Sequence, residues 1–412
     1  MKDFLSLGSE YRKYFLATVL TSVGSGMQFI AMSWVLYKMT GSSASIGWIL
    51  IISTVPGMLF SPWIGAIVDR YEPRIICIST DVIRGVILIL LVLTMYHGML
   101  EEKWIYLSAF LLAICENFFQ PAASALVRDT VTTPQLLTAN IAGNIGMQVG
   151  TLVGAGIGGV LVAATGPTTV VLLDSVSFFI SAVLTFWILT QPTIGTAQEN
   201  TIQSDFMQEF RETLTYMRNN SFLIWITVVQ VLVYITLYVC NTLLPVFVDR
   251  ELRASAAGFG LIDSAWGIGA VGGGFVLAYL SRKLDYKQFT IFGLLALASA
   301  ILILLTSLQV LQAAFAYLLI GFLTCVLRLL TDTILVTQVD RRYFGKVKAS
   351  IAMVISYLSL GVYAIVGYLG DEVSIRWIYL ALLSMILLGF FACLYFASYP
   401  STAINNQRQE TD

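Results

Sequence analysis

Residues 146–159 read GMQVGTLVGAGIGG, with a glycine at every fourth position from residue 146 to residue 158. Residues four apart lie on one face of a helix, so these glycines form a stripe of Gly146, Gly150, Gly154 and Gly158, with Gly159 beside it. Glycine weakens helices, but inside a membrane a glycine stripe lets a neighbouring backbone approach closely. The stretch therefore predicts a membrane helix that packs or slides against another helix.

The composition of the 412 residues agrees with a membrane protein. Hydrophobic residues make up 58% and charged residues only 11%, which is too apolar for a soluble fold with a solvated surface. The net charge of −1 gives no indication of nucleic-acid binding. The five cysteines occur singly in apolar segments, so neither a disulfide framework nor a metal site is expected, and no cofactor is implied.

Twelve apolar segments are long enough to cross a bilayer, whose hydrocarbon core of about 30 Å needs about 20 residues per helix. They lie near residues 14–37, 44–68, 75–97, 104–127, 138–164, 167–191, 221–247, 257–280, 289–308, 312–336, 347–369 and 375–398. The first is too long for a signal-peptide core and lacks a cleavage pattern, so we expect it to be retained. The predicted class is an all-α membrane protein.

The longest polar stretch divides the spans six and six. We expect an N-terminal bundle at 1–191, a cytoplasmic linker at 192–220, and a C-terminal bundle with a short tail at 221–412. Apolar residues recur at helical spacing in the linker, which indicates either an amphipathic helix on the membrane face or a plain linker helix: Phe206, Phe210, Leu214 and Met217.

Charge placement predicts the orientation of the spans. With both termini in the cytoplasm, sixteen of the 23 Lys and Arg residues fall in cytoplasmic segments. We therefore expect a multi-pass protein of the cell inner (plasma) membrane. The halves also echo each other at a constant offset, which is typical of a duplicated transporter fold with two pseudo-symmetric bundles. The matching positions are Gly65, Arg70, Glu72 and Arg74 with Ala278, Lys283, Asp285 and Lys287.

The segment 65–74, GAIVDRYEPR, resembles the G-x-x-x-D-R-x-G-R-R loop of the major facilitator superfamily, with Glu72 and Pro73 departing from it. The resemblance implies twelve helices in two six-helix bundles and a cytoplasmic gate. Asp69 would meet a helix N-terminus or an arginine there, and the other gating residues would be Gly65, Arg70 and Arg74.

The glycine stripe in turn resembles the G-x-x-x-G-P-x-x-G-G motif of the superfamily's exporters, with Ala155 in place of proline. Its motif residues are Gly150, Gly154, Gly158 and Gly159. Phe119-Gln120-Pro121-Ala122 and the segment 173–179, LDSVSFF, resemble the drug/proton antiporter branch with macrolide efflux pumps and the enterobactin exporter. The intramembrane arginine that many such antiporters carry in the fourth helix is missing from this sequence. The resemblance of the glycine stripe to the exporter motif implies export.

Charged residues inside predicted spans need a partner or a function, because burying each in lipid costs about 2.5–3.5 kcal/mol on insertion scales. Glu116 lies near the middle of the fourth span, with no basic residue one turn away on its own helix. It is a candidate for proton exchange, and the alternative is a neutral acid hydrogen-bonded to a neighbour. Asp81 and Arg84, three residues apart in the third span, are expected to form a mutually compensating pair.

The tenth span carries a second possible pair, Arg328 and Asp332, four residues apart. It would bind an anionic substrate group, relay protons, or simply extend toward the cytoplasmic surface. Asp174 and Asp263 lie within about two turns of the outer ends of their spans, where we expect water to reach a carboxylate.

Polar and aromatic residues form a stripe on the seventh span, and the first span offers Gln28. Such residues suit an amphipathic organic substrate, although interhelical hydrogen bonding is the alternative for each of them. The residues predicted to bind substrate are Gln28, Glu116, Gln230, Tyr234, Tyr238, Asn241 and Arg328.

These features predict a secondary active transporter that exports a small amphipathic compound, such as a drug, siderophore or other metabolite, by proton antiport. A nucleotide-binding loop is absent from the sequence, which favours an ion gradient as the energy source. The alternatives are an importer or lipid flippase on the same scaffold, or a non-transporting membrane sensor. An enzyme is not expected, because no catalytic or metal motif is found. The expected partners are substrate, protons and membrane lipid, with the protein a monomer.

Overall fold

A computed structural model describes residues 7–68, 70–189, 215, 221–280, 286–339 and 341–397. Within them lie twelve long helices, each apolar enough to cross a membrane, and none of these residues is in a strand. The helices are α1 (Ser9–Thr40), α2 (Ser43–Val68), α3 (Pro73–Tyr96), α4 (Glu102–Thr130), α5 (Leu136–Thr165), α6 (Pro167–Phe186), α7 (Ser221–Arg250), α8 (Ala256–Leu280), α9 (Tyr286–Thr306), α10 (Val310–Gln338), α11 (Arg341–Glu372) and α12 (Ile375–Ala397). The predicted all-α class and the twelve spans are confirmed.

Glycine and proline set several helix ends. Gly41 follows α1 with a left-handed φ of 65°, and its N–H donates to the carbonyl of Tyr37 at 2.7 Å. Pro73 and Pro167 begin α3 and α6, where the N–H that proline lacks has no helical acceptor. The connections between α1 and α2 and between α5 and α6 are very short, so the two helices of each pair run antiparallel to each other.

The described helices form two compact units. The first contains α1 to α6 together with residues 242–267 and 363–372, which are the end of α7, the start of α8 and the end of α11. The second contains the remaining described parts of α7 to α12. The bundle boundaries at 1–191 and 221–412 stay a prediction. The predicted linker helix at 192–220 lies outside the described residues, apart from Thr215.

Within the first unit, α1 packs mainly against α5 and α6, and the glycine stripe makes the first of these contacts. A Cβ added at Gly150 would lie 2.8 Å from Cβ of Ser22, and one at Gly154 would collide with the carbonyl oxygen of Val23. At Gly158 it would lie 2.7 Å from Cα of Met27. The close packing that the spacing predicts is therefore present, and its partner is α1.

Gly159 points in a different direction from the stripe. An added Cβ there would lie 2.5 Å from the carbonyl oxygen of Ala256 and 2.8 Å from Cα of Gly260 on α8, within the same unit. Helix α5 thus uses one glycine face against α1 and a second against the start of α8. The second unit is built partly from α9, which packs against α10 and α12.

Candidate functional site

An ion cluster that is buried at Asp81 and Arg84 joins α3, α4 and α6 in the first unit. Nη2 of Arg84 lies 3.0 Å from Oε2 of Glu116, and Nη1 lies 3.9 Å from Oδ1 of Asp81. Ser181 on α6 donates a 2.6 Å hydrogen bond to Oδ2 of Asp81. The structure thus brings together the predicted pair Asp81–Arg84 and the carboxylate of Glu116, which comes from a different helix.

Two aromatic rings complete the surroundings of Arg84. The centroids of Phe119 and Phe178 lie 4.8 Å and 5.4 Å from its guanidinium carbon, which is cation–π distance. Nε and Nη2 have no aligned hydrogen-bond acceptor among the described residues, so the 3.0 Å contact with Glu116 is an ion pair rather than a well-directed hydrogen bond. Arg84 is therefore held by charge and by the rings.

Glu116 forms part of the wall of a cavity of about 290 Å³. Its side chain is 49% exposed, whereas that of Arg84 behind it is only 5% exposed. Gln120, one turn later on α4, donates to Oε1 of Glu116. The predicted substrate residue Gln28 lines the same cavity, with Ser25, Phe29, Met32 and Ser53. A mostly apolar wall with a few polar groups is typical of an organic-ligand site.

The expectation that water reaches Asp174 is wrong for this structure, because its side chain is fully buried. Helix α1 passes so close that a Cβ added at Gly24 would collide with Oδ1 of Asp174. Ser177 donates to Oδ1 at 3.3 Å, and Oδ2 has no hydrogen-bond partner among the described residues. The hydropathy pattern could not reveal this, because it does not show which helix covers a given face.

The predicted ion pair in the second unit is not formed. Among the described residues, no side-chain nitrogen of Arg328 lies within 4.0 Å of a carboxylate oxygen of Asp332. Oδ1 of Asp332 instead accepts a 3.2 Å hydrogen bond from Nε2 of Gln230 on α7, so a neighbouring helix satisfies the carboxylate. Tyr234 and Tyr238 lie on the same helix with ring centroids 6.0 Å apart. Asn241 is exposed at the end of this stripe.

The predicted gating motif is described only in part, because Asp69 lies outside the described residues. Arg74 donates from Nη2 to the carbonyl of Phe186 and stacks on its ring, with 5.4 Å between guanidinium carbon and centroid. This places a cation at the C-terminal end of α6, where the helix dipole favours positive charge. Arg70 is exposed, and nothing lies within 4 Å of a Cβ added at Gly65. The gating role stays a prediction.

Residues 8–409 match a family model described as a transmembrane secretion effector. The match covers nearly the whole chain and includes both glycine faces of α5, the ion cluster and the cavity. The chain belongs to the transmembrane secretion effector family. The predicted membership of the major facilitator superfamily is thereby confirmed, and the protein is a multi-pass membrane transporter.

Relatives of this secretion effector agree with that assignment. It is 24% identical over 319 residues to BacE of Bacillus subtilis strain 168, whose name assigns it to bacilysin export, covering 76% of this chain and 77% of BacE. It is 20% identical over 255 residues to macrolide efflux protein A of Streptococcus pyogenes, covering 62% of each chain. The crystal structure of the nucleoside transporter NupG aligns with a TM-score of 0.74 at 10% identity, over 95% of this chain and 100% of NupG, which shows a shared fold.

Several contacts of this secretion effector's ion cluster were not predicted. Gln120 is four residues after Glu116, so helical spacing could have indicated their contact. Nothing in the sequence connects Ser181 with Asp81, one hundred residues away. Phe119 and Phe178 belong to segments with a family resemblance, but their spacing in the sequence does not reveal that they contact Arg84. Among the described residues, no group of three or more His, Cys, Asp or Glu is placed to hold a metal ion.

Proposed function

We propose that the protein is a secondary active exporter, which moves a small amphipathic organic compound out of the cell in exchange for protons. The observation that carries this proposal is the position of Glu116, in the wall of a cavity and 3.0 Å from the buried Arg84. Export is supported by the names of two relatives, one assigned to bacilysin export and one to macrolide efflux.

The charges of the cluster support the proposed proton coupling. Protonation of Glu116 from the outside would remove the charge that holds Nη2 of Arg84, and the guanidinium would then pair more closely with Asp81. Release of that proton to the cytoplasm would restore the Glu116–Arg84 pair. Because the carboxylate also lines the cavity, its protonation state and the cavity's charge change together, which is the property that an antiporter needs.

Each unit, taken by itself, carries residues that suit an amphipathic substrate. In the first unit, Gln28 and Glu116 offer hydrogen bonds beside the apolar wall formed by Phe29 and Met32. In the second unit, the rings of Tyr234 and Tyr238 offer area on which a substrate could stack, and polar side chains lie on the same and another helix. The proposed second-unit contributors are Gln230, Tyr234, Tyr238, Asn241 and Arg328.

The transport cycle we propose is alternating access, with bundles 1–191 and 221–412 moving about a site near the midplane. The glycine motif of α5 would keep the first bundle sealed during this movement, and the segment 65–74 would close the cytoplasmic side. The protein would work as a monomer in the plasma membrane, surrounded by lipid, with both termini in the cytoplasm.

The test uses everted membrane vesicles, a proton gradient and radiolabelled erythromycin as the probe, because one relative is named for macrolide efflux. We expect wild-type vesicles to accumulate the probe and Glu116→Gln vesicles to lose this accumulation, while the variant stays folded by gel filtration. Glu102→Gln, at the start of the same helix, is the matched control and should transport normally. Gradient-driven accumulation that survives Glu116→Gln would contradict the coupling role.

The direction of movement separates the proposal from its alternatives. An exporter accumulates the probe in everted vesicles, whereas an importer accumulates it in right-side-out vesicles. A lipid flippase would move a fluorescent phospholipid between leaflets and leave erythromycin untouched. A sensor would move neither compound under any gradient.

A further inference from the structure

The end of α11 caps the beginning of α2. The carboxylate of Asp371 accepts hydrogen bonds from the backbone N–H groups of Ser43 at 2.6 Å and Ala44 at 3.2 Å. The hydroxyl of Ser43 donates to Oδ1 of Asp371 at 2.9 Å, and the hydroxyl of Ser42 donates to Oδ2. The first N–H groups of a helix have no acceptor in their own helix, and a carboxylate placed there also meets the positive end of the helix dipole. This cap is supplied by a residue more than three hundred positions away in sequence.

Arg250, the last residue of α7, joins the same group. Its Nη2 lies 3.5 Å from Oδ1 of Asp371 and donates to the carbonyl of Gly41 at 2.6 Å. Nε donates to the Tyr37 hydroxyl at 3.1 Å, and Nη1 donates to the carbonyl of Gly370 at 3.0 Å. One guanidinium thus connects the end of α1 with the end of α11, using the several donors that distinguish arginine from lysine.

Close backbone packing surrounds these polar contacts. A Cβ added at Gly367 of α11 would lie 3.1 Å from Cα of Ala44 on α2, and one at Gly47 would collide with the carbonyl of Tyr363. A second ion pair, Lys38 to Asp249 at 2.5 Å, links α1 with α7 at the same end. All of these residues belong to the first compact unit. The Asp371 cap is therefore part of a closely packed contact between α2 and α11.

We propose that Asp371 and Arg250 form a latch that closes this end of the transport path. The latch joins α1 and α2, from the first half of the sequence, to α7 and α11, from the second half. In alternating access the two halves separate at one membrane face and then at the other, so these contacts break once in every cycle. The Asp371 side chain is 28% exposed and that of Arg250 is 38% exposed, so the bond is reversible rather than a deeply buried ion pair.

The test measures access to the cavity from the membrane face that carries the α1–α2 connection. Ser25, which lines the cavity, is replaced by cysteine in a protein whose five native cysteines have been replaced, and a membrane-impermeant thiosulfonate reagent is applied to that face. We expect Asp371→Ala to speed labelling about tenfold, because a lost helix cap together with a lost ion pair shifts the closed–open balance by that order. Glu372→Gln, the adjacent carboxylate, is the matched control and should label at the wild-type rate.

Arg250→Gln provides a second variant if Asp371→Ala does not fold, as judged by gel filtration. It should speed labelling in the same direction, and the double variant should gain less than the product of the two single increases, because the two residues share one ion pair. Wild-type labelling rates in folded Asp371→Ala or Arg250→Gln would overturn the proposal, as would an equal increase in Glu372→Gln. The assay uses no substrate and no proton gradient, so its result is independent of whether proton-driven export is correct.

Discussion

Arg84 is the residue on which the buried charges of the first unit depend. Its side chain is 5% exposed and lies between Asp81, which is fully buried, and Glu116, which faces the cavity. Removing one partner of a buried ion pair leaves an uncompensated charge, which typically costs about 3–5 kcal/mol. The residue therefore combines two tasks, since it neutralises Asp81 and positions the carboxylate proposed to carry protons.

A double-mutant cycle tests this role of Arg84. We expect Arg84→Met to lower the apparent melting temperature of the detergent-solubilised protein strongly, because Asp81 is left buried without its cation. Adding Asp81→Asn should recover a large part of the loss, since the isolated charge is then gone. Arg70→Met, at an exposed arginine, is the control and should change little. Strictly additive effects of the two cluster substitutions would show that Arg84 and Asp81 are not coupled.

At the scale of single helices, the contact between α5 and α1 has no room for a side chain. An alanine at Gly154 would press its Cβ against the backbone carbonyl of Val23, which cannot rotate away as a side chain would. We expect Gly154→Ala to destabilise the protein by about 1–3 kcal/mol through overpacking and to slow transport. Gly143→Ala on the same helix is the matched control, because among the described residues the added Cβ would meet just the Tyr11 hydroxyl, at an ordinary 3.6 Å. Equal melting temperatures for the two variants would refute the packing argument.

The same helices show how far the sequence carries a fold prediction. Hydropathy predicts all twelve spans, because the bilayer requires about 20 apolar residues for each. Hydropathy predicts that α7 and α11 end near residues 247 and 369. The helices continue to Arg250 and Glu372, because polar residues beyond the hydrocarbon core remain helical. Periodicity identifies the small face of α5 but not α1 as its partner. It likewise pairs Asp81 with Arg84 on one helix, whereas the approach of Glu116 from another helix depends on tertiary packing.

At the scale of the whole molecule, the distribution of charge predicts which way the chain lies in the membrane. Sixteen of the 23 Lys and Arg residues belong to the predicted segments on the side of the termini, so the positive-inside rule predicts that this side faces the cytoplasm. With this orientation, the proposed latch at Asp371 would close the outer end of the path and the segment 65–74 the inner end.

A pair of single-cysteine variants tests the orientation in intact cells. Met99, in the connection between α3 and α4, is 66% exposed, and Tyr71, in the connection between α2 and α3, is 64% exposed, so a cysteine at either position would be open to a reagent on its own side. In a background without native cysteines, we expect an impermeant maleimide to label Met99→Cys in intact cells and Tyr71→Cys only after permeabilisation. The reverse pattern would invert the topology and, with it, the assignment of the outer gate to Asp371 and Arg250. Labelling of both sites in intact cells would mean that the chain inserts in two orientations, which an excess of positive charge on one side opposes.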